Sequence, residues 1–213
     1  MTLTLPDPTI TETGPPTVIG LDPSLTATGI ASSRGWTQTI GYEKARAKDP
    51  GITTLPHPVR RRAMLDVRDR IINQIGTPDL VVMETPAFSR SGGGAHERAW
   101  LWWELYGYLD THHIPTALMG TGQRCTYATG KGNASKEAVV DAVARRWPAW
   151  ETQGDNNLAD AVVFMAAGLD WLGHPINPMP KTHRTAIDKA IWPDLALTGA
   201  DTMTTTTVTR SDR

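Results

Sequence analysis

The sequence has 213 residues, of which 39% are hydrophobic and 20% charged, and its formal net charge at pH 7 is -1. This length and apolar content suit one α/β domain with a buried core, and the overall charge does not by itself indicate a nucleic-acid partner. The single cysteine, Cys125, excludes an intramolecular disulfide and a cysteine-based zinc site, and it fits a cytoplasmic location. No run approaches the roughly 20 apolar residues of a membrane helix, so we expect no membrane partner.

The first part of the chain predicts three antiparallel strands followed by a helix. Residues 1–16 are rich in Pro and Thr and are expected to form a flexible N-terminal arm. Apolar and β-prone runs at Val18–Asp22, Thr26–Ser32 and Trp36–Ile40 indicate a three-stranded meander. Apolar positions from Val59 to Ile75 recur at helical spacing and predict an amphipathic helix.

The rest of the chain alternates strands and helices. The predicted elements are a strand at Asp79–Met83, a helix at Arg98–His113, a strand at Ile114–Met119, helices at Lys136–Trp147 and Asn156–Leu172, and a short helix near Ala186–Ile191. This order favours one mixed α/β domain over residues 17–173. Residues 174–198 form a Pro-rich extension, and residues 199–213 are expected to be disordered.

Three acidic residues lie within or at the end of apolar segments. Asp22 and Glu84 end predicted strands, and Asp160 lies in a helix that is apolar almost all round. Carboxylates are costly to place beside a hydrophobic core without a cation, so a converging trio indicates a divalent metal site. The alternatives are a turn residue for Asp22, a solvated strand end for Glu84 and partial exposure for Asp160.

A locally basic stretch separates the second acid from the third. It includes Arg124, Lys131 and Lys136, and the two lysines flank the Gly-rich segment TGKGNAS, where a phosphate could approach the backbone. The stretch is either a solvated helix face or a nucleic-acid surface. No P-loop pattern is present, so a nucleotide-binding loop is not indicated.

Four segments together resemble the RuvC family of Holliday-junction resolvases, particularly its phage-type members, within the RNase H-like superfamily. They are GLDPSLTATGIA, VVMETPAF, ATGKGNASKEAVV and NNLADAVVFMAAG, which occur in the family's order between Val18 and about Gly173. The resemblance implies an RNase H-like mixed five-stranded sheet, with antiparallel hairpins first and parallel strands afterwards, flanked by helices. It also implies that the first and fourth strands lie side by side.

The resemblance assigns the catalytic acids to Asp22, Glu84 and Asp160, which would hold two Mg²⁺ ions, with Mn²⁺ as a substitute. The family usually has an Asp or a His three residues before the last acid, where this sequence has Asn157. Asn157 could coordinate through its amide oxygen, or Asp155, which precedes the helix, could supply the missing charge as a catalytic ligand. Charge favours Asp155 narrowly, although an N-cap is its other expected role.

The implied activity is metal-dependent hydrolysis of a phosphodiester in four-way or other branched DNA, leaving a 5′-phosphate and a 3′-hydroxyl. Such an enzyme would act in recombination, repair or phage DNA processing, in a bacterial or phage-infected bacterial cell, and without a small-molecule cofactor. Lys131, Lys136 and Arg124 are the expected DNA contacts, and Phe88 could stack on an unpaired base. The resemblance also implies a homodimer, for which the Trp-rich helix Arg98–His113 is the expected interface.

Two other functions are compatible with parts of the sequence. GLDPSLTATG is reminiscent of the first phosphate loop of an actin-like sugar kinase or ATPase, but a second such loop is missing. A non-catalytic DNA-binding scaffold of the same fold is the other alternative, and the presence of all three acids argues against it.

Overall fold

The computed structural model describes residues 14–86 and 94–195. Its strands are β1 (Val18–Asp22), β2 (Thr28–Ser32), β3 (Trp36–Ile40), β4 (Leu80–Glu84) and β5 (Thr116–Met119). Its α-helices are α1 (His57–Ile75), α2 (Ala95–Thr111), α3 (Thr121–Thr129), α4 (Lys136–Arg146), α5 (Asn156–Trp171) and α6 (Lys181–Arg184). Short 3₁₀ turns lie at Ile52–Thr54 and Ile187–Lys189.

The strands form one sheet in the order β3-β2-β1-β4-β5. The first three strands are antiparallel, whereas β4 and β5 run parallel to β1. The predicted five-stranded mixed sheet, with hairpins first and β1 beside β4, is therefore confirmed.

The main difference from the sequence prediction is α3, since no helix was predicted between Met119 and Lys136. Glycine and threonine are weak helix formers, and Gly122 with three threonines makes α3 a poor helix by propensity. Burial compensates, because Cys125, Tyr127 and Ala128 pack into the core. The short helix expected near Ala186–Ile191 is instead α6 followed by a 3₁₀ turn.

Side-chain alternation along β1 and β4 divides the core into two halves. Successive residues of a strand point to opposite faces of the sheet. One face carries Ile19, Leu21, Val81 and Met83, which pack with residues of α1 and α2. The other carries Val18, Leu80 and Val82, which pack with residues of α3, α4 and α5. The same alternation places Asp22 and Glu84, at the strand ends, on the face that α5 covers.

Helix α5 approaches the sheet at backbone distance because glycines line the contact. A Cβ atom added to Gly20 would lie 1.9 Å from the carbonyl oxygen of Ala161, and one added to Gly29 would lie 2.1 Å from that of Asn157. On the helix side, a Cβ at Gly168 would lie 2.7 Å from the side chains of Val18 and Val82. This contact fixes the height of α5, and hence of Asp160, above β1.

The segment after α5 packs back on the domain. The rings of Trp171 and Trp192 stack with their centroids 4.6 Å apart. The backbones of Leu118 and Ile191 exchange two hydrogen bonds of 2.8 and 2.9 Å, which cover part of the outer edge of β5. No helix among the described residues is long and apolar enough to cross a membrane.

The glycine contact between β1 and α5 leads to a stability prediction. Gly20→Ala should lower the free energy of unfolding by about 2 kcal/mol or more, because the new methyl group meets backbone that cannot turn aside. Urea denaturation followed by circular dichroism measures this change.

The matched control is Gly107→Ala in α2, where no heavy atom of the described residues lies within 4 Å of the added Cβ atom. That variant should be neutral or more stable by roughly 0.5–1 kcal/mol, since alanine is the better helix former. Equal effects at the two positions would contradict the tight-contact explanation.

Candidate active site

Three carboxylates converge where β1 and β4 end beneath α5. The register pairs Leu21 with Met83, so the next residues, Asp22 and Glu84, lie level on neighbouring strands. Asp160 lies in the first half of α5, and its carboxyl group interacts with that of Asp22. Asp22 is 7% exposed and Asp160 5%, while the side chain of Glu84 is 18% exposed. The three predicted acids are therefore neighbours in a largely buried cluster.

A buried arginine from α3 enters the same cluster. Nη1 of Arg124 lies 2.7 Å from Oδ2 of Asp160 and 3.1 Å from Oε1 of Glu84. The hydroxyl of Thr121 donates a second hydrogen bond of 2.9 Å to Oε1 of Glu84. Arg124 was expected on an exposed basic surface in contact with DNA, but it is only 6% exposed and faces the acids. Burial of the α3 face that also carries Tyr127 and Ala128 explains this difference.

One arginine does not balance the charge of three carboxylates. The pKa of Asp22 is raised to about 9 by burial first, and then by the neighbouring carboxylates of Glu84, with which it shares a hydrogen bond, and Asp160. Burial also raises the pKa of Asp160 to about 7, although Arg124 and, more weakly, Lys136 act in the opposite direction. The cluster therefore lacks positive charge when all three carboxylates are ionised.

The donor chemistry of the cluster fits a hard divalent cation. Mg²⁺ and Mn²⁺ prefer carboxylate oxygens, and an additional cation would supply the charge that Arg124 alone does not. As the described side chains stand, no group of three Asp, Glu, His or Cys residues is gathered closely enough to hold an ion. Arg124 lies between two of the carboxylates, so ion binding requires local side-chain movement.

The two candidates for a fourth ligand have different local roles. Oδ1 of Asp155 accepts hydrogen bonds from the backbone N–H groups of Asn157 and Leu158, at 2.7 and 3.4 Å, and so caps α5. The charge of Asp155 nevertheless contributes to the raised pKa of Asp160, after the larger effect of burial. Oδ1 of Asn157 accepts a hydrogen bond of 3.0 Å from the side chain of Asn156. Both assignments stay predictions.

Of the other predicted DNA contacts, two are exposed lysines and one falls outside the described residues. Lys131 and Lys136 are exposed on the loop and helix start that follow α3. Lys136 is near enough to lower the pKa of Asp160, after the larger effects of burial and Arg124. Phe88 falls within residues 87–93, which the structure does not describe.

The residue that sequence reasoning misplaced is Arg124. Had α3 been recognised as a helix, Arg124 would stand three and four positions before Tyr127 and Ala128, on one apolar face. An arginine on such a face requires a buried anionic partner. The signal was thus present, but it depended on recognising the helix first.

The raised pKa of Asp22 predicts how stability depends on pH without metal. A carboxyl whose pKa rises from 3.8 to about 9 on folding stabilises the folded state below pH 3.8, and this contribution is lost as pH increases towards 9. In EDTA, the melting temperature of Asp22→Asn should therefore exceed that of the natural protein, and the difference should grow between pH 5 and pH 8. We expect a gain of about 3 °C or more at pH 8, which corresponds to about 1 kcal/mol.

The control for this measurement is Asp66→Asn, which alters an exposed carboxylate on α1. Its melting-temperature difference from the natural protein should not grow over the same range. If the two variants behaved alike, Asp22 would not carry the buried charge.

Comparisons with known proteins agree with the fold. No protein-family model matches the sequence, and no curated protein matches it. Among solved structures, RuvC from Thermus thermophilus matches with a TM-score of 0.52 and 20% identity, covering 74% of this chain and 97% of that one. T. thermophilus RuvC in complex with Holliday junction substrate matches with a TM-score of 0.51 and 20% identity, covering 75% and 97%. The chain therefore has the RNase H-like fold of RuvC structures, as the sequence motifs predicted.

Proposed function

We propose that the protein is a metal-dependent endodeoxyribonuclease of the RuvC type that cuts four-way junctions or other branched DNA. The observation that carries this proposal is the convergence of Asp22, Glu84 and Asp160 at the ends of β1 and β4. A RuvC structure of the same fold is described with Holliday junction substrate. Fold and acids together support the same reaction class.

In this proposal Asp22, Glu84 and Asp160 hold two Mg²⁺ or Mn²⁺ ions, with Asp155 or Asn157 as the fourth ligand. Ions bound there would lower the pKa of a water molecule and stabilise the leaving 3′ oxygen. The chain itself supplies three carboxyl groups on rigid strand and helix positions, and a bound dication would favour their ionised forms. Because these groups are mostly buried, few water molecules reach them, and electrostatic effects are larger than at an exposed surface.

The exposed basic residues support a DNA path beside the acids. Lys131 lies between Gly130 and Gly132 in the loop after α3, and Lys136 begins α4. A concave surface next to this loop is also lined by Arg145 and Arg146. We propose that the lysines hold the DNA backbone, since ammonium groups bind phosphate without reading sequence. They would place the scissile bond beside Asp160.

We further propose that the protein acts as a homodimer through α2. Trp103 is 63% exposed although it contacts the rings of Trp102 and Tyr106 at centroid distances of 4.9 and 6.1 Å. An exposed tryptophan held in place on a rigid helix is typical of an interface. A four-way junction presents two equivalent strands, and a two-fold dimer places one active site at each.

The first test is cleavage of labelled four-way junction, flap and plain duplex DNA with Mg²⁺, Mn²⁺ or EDTA. The natural protein should cut branched DNA only with a divalent ion. Asp22→Asn, Glu84→Gln and Asp160→Asn should each reduce cutting to background, because each removes a ligand charge. Gel-shift binding to the junction should persist, since losing negative charge does not weaken attraction to phosphate.

Asp66→Asn, on the exposed face of α1, is the matched control and should cut normally. Full activity in any of the three acid variants would contradict the assignment. Junction binding without cleavage by the natural protein would support the scaffold alternative, and ATP turnover would support the kinase alternative.

The dimer proposal predicts that Trp103→Glu shifts the protein towards monomer in sedimentation velocity. A buried charge would oppose association, because it loses its hydration without gaining a partner. The same variant should uncouple the two nicks on a junction, so that single-nicked products accumulate.

The control is Ile191→Glu. Ile191 is an apolar residue of the C-terminal segment that is 63% exposed, as Trp103 is. It should leave the sedimentation of the natural protein unchanged. A natural protein that is monomeric both with and without junction DNA would overturn the dimer.

A further inference from the structure

Arg124 carries an inference that goes beyond the proposed nuclease. It is 6% exposed, its Nη1 contacts both Glu84 and Asp160, and its Nε is buried with no hydrogen-bond partner among the described residues. A structural arginine normally satisfies its planar set of donors. Here Nη1 makes both ion pairs with the acids, while Nε has no partner among the described residues.

The backbone that carries Arg124 is held firmly. The side chain of Gln123 bonds the backbone of both Gly120 and Lys189, which ties the start of α3 to the C-terminal segment. The hydroxyl of Tyr127 donates to Asp170 and to the carbonyl of Ala166, at 3.1 and 3.3 Å. The helix is therefore fixed on both sides of Arg124, so any movement of Arg124 away from the acids would involve its side chain.

A divalent cation and the guanidinium cannot share these carboxylates unchanged. The atoms that Nη1 contacts, Oε1 of Glu84 and Oδ2 of Asp160, belong to the side chains expected to hold metal. A dication bound there would lie within a few ångströms of the guanidinium, in surroundings where like charges repel strongly. The two cations therefore compete for these carboxylates.

We propose that Arg124 is the resident counter-cation of this site and is exchanged for the divalent cation. Without metal, the guanidinium holds Glu84 and Asp160 together and limits their mutual repulsion. When metal binds, the guanidinium withdraws from at least one of them, so Arg124 lowers the affinity of the site for metal. This inference rests on the proposed function only in taking the cation to be divalent.

The test measures Mn²⁺ binding to the full chain by isothermal titration calorimetry without DNA. Arg124→Gln, which keeps hydrogen-bond donors but removes the charge, should bind Mn²⁺ at least about tenfold more tightly, or about 1.4 kcal/mol. In EDTA the same variant should melt at a lower temperature than the natural protein. Its gain in melting temperature on adding Mn²⁺ should be larger.

Arg60→Gln is the matched control, because it removes another arginine–carboxylate pair, with Glu97, outside the acidic cluster. Its Mn²⁺ affinity should equal that of the natural protein. Unchanged or weaker Mn²⁺ binding by Arg124→Gln would overturn the exchange.

A measurement on the natural protein covers the case in which Arg124→Gln does not fold. In nitrogen-15 NMR of labelled arginine side chains, the Arg124 signal, assigned with Arg124→Lys, should shift and sharpen on titration with Mg²⁺. A signal that stays unchanged at saturating Mg²⁺ would overturn the proposal. Both readouts are independent of cleavage. If Arg124→Gln bound metal more tightly but the natural protein cut no DNA, the proposed exchange would stand and only the proposed nuclease function would be overturned.

Discussion

The close contact between α5 and the sheet determines most of what the molecule can do. Gly20 and Gly29 bring the helix backbone so near that any other side chain would collide with it. Because the contact involves backbone atoms, it does not depend on side-chain rotamers. A carboxylate on α5 can therefore be positioned against carboxylates of the strands as reliably as the strands are positioned against each other. Packing at this level of rigidity is what a preorganised site needs.

The same closeness creates an electrostatic problem. Asp160 and Asp22 lose most of their hydration, and burial is the largest cause of the raised pKa of each. A buried ion pair seldom repays its full desolvation cost, so the pairing of Asp160 with Arg124 is weak evidence for stability. The cluster is better understood as a site that lowers the stability of the fold but keeps ionisable carboxyl groups together.

Much of the fold was predictable because strand patterns are local. Alternation and turn signals located β1, β3 and β4 closely, and the acids at the ends of β1 and β4 followed from position alone. Helix α3 was not predictable in this way, because its glycine and threonines oppose a helix and tertiary burial of Cys125, Tyr127 and Ala128 compensates. Arg124 was misplaced for the same reason. The sequence shows its charge, but its partners lie 36 and 40 residues away along the chain.

The C-terminal segment bears on the order in which the site is completed during synthesis. Lys189 holds the start of α3 through Gln123, and a ring nitrogen of His183 contacts the carbonyl of Tyr127 at 2.8 Å. A growing chain that has released α3, but not yet these residues, has its arginine-bearing helix supported on one side only. The three acids would then meet in a nascent protein whose counter-charge is loosely held. Residues 183–189 leave the ribosome after all three acids, and they complete the support of the helix that carries the counter-charge.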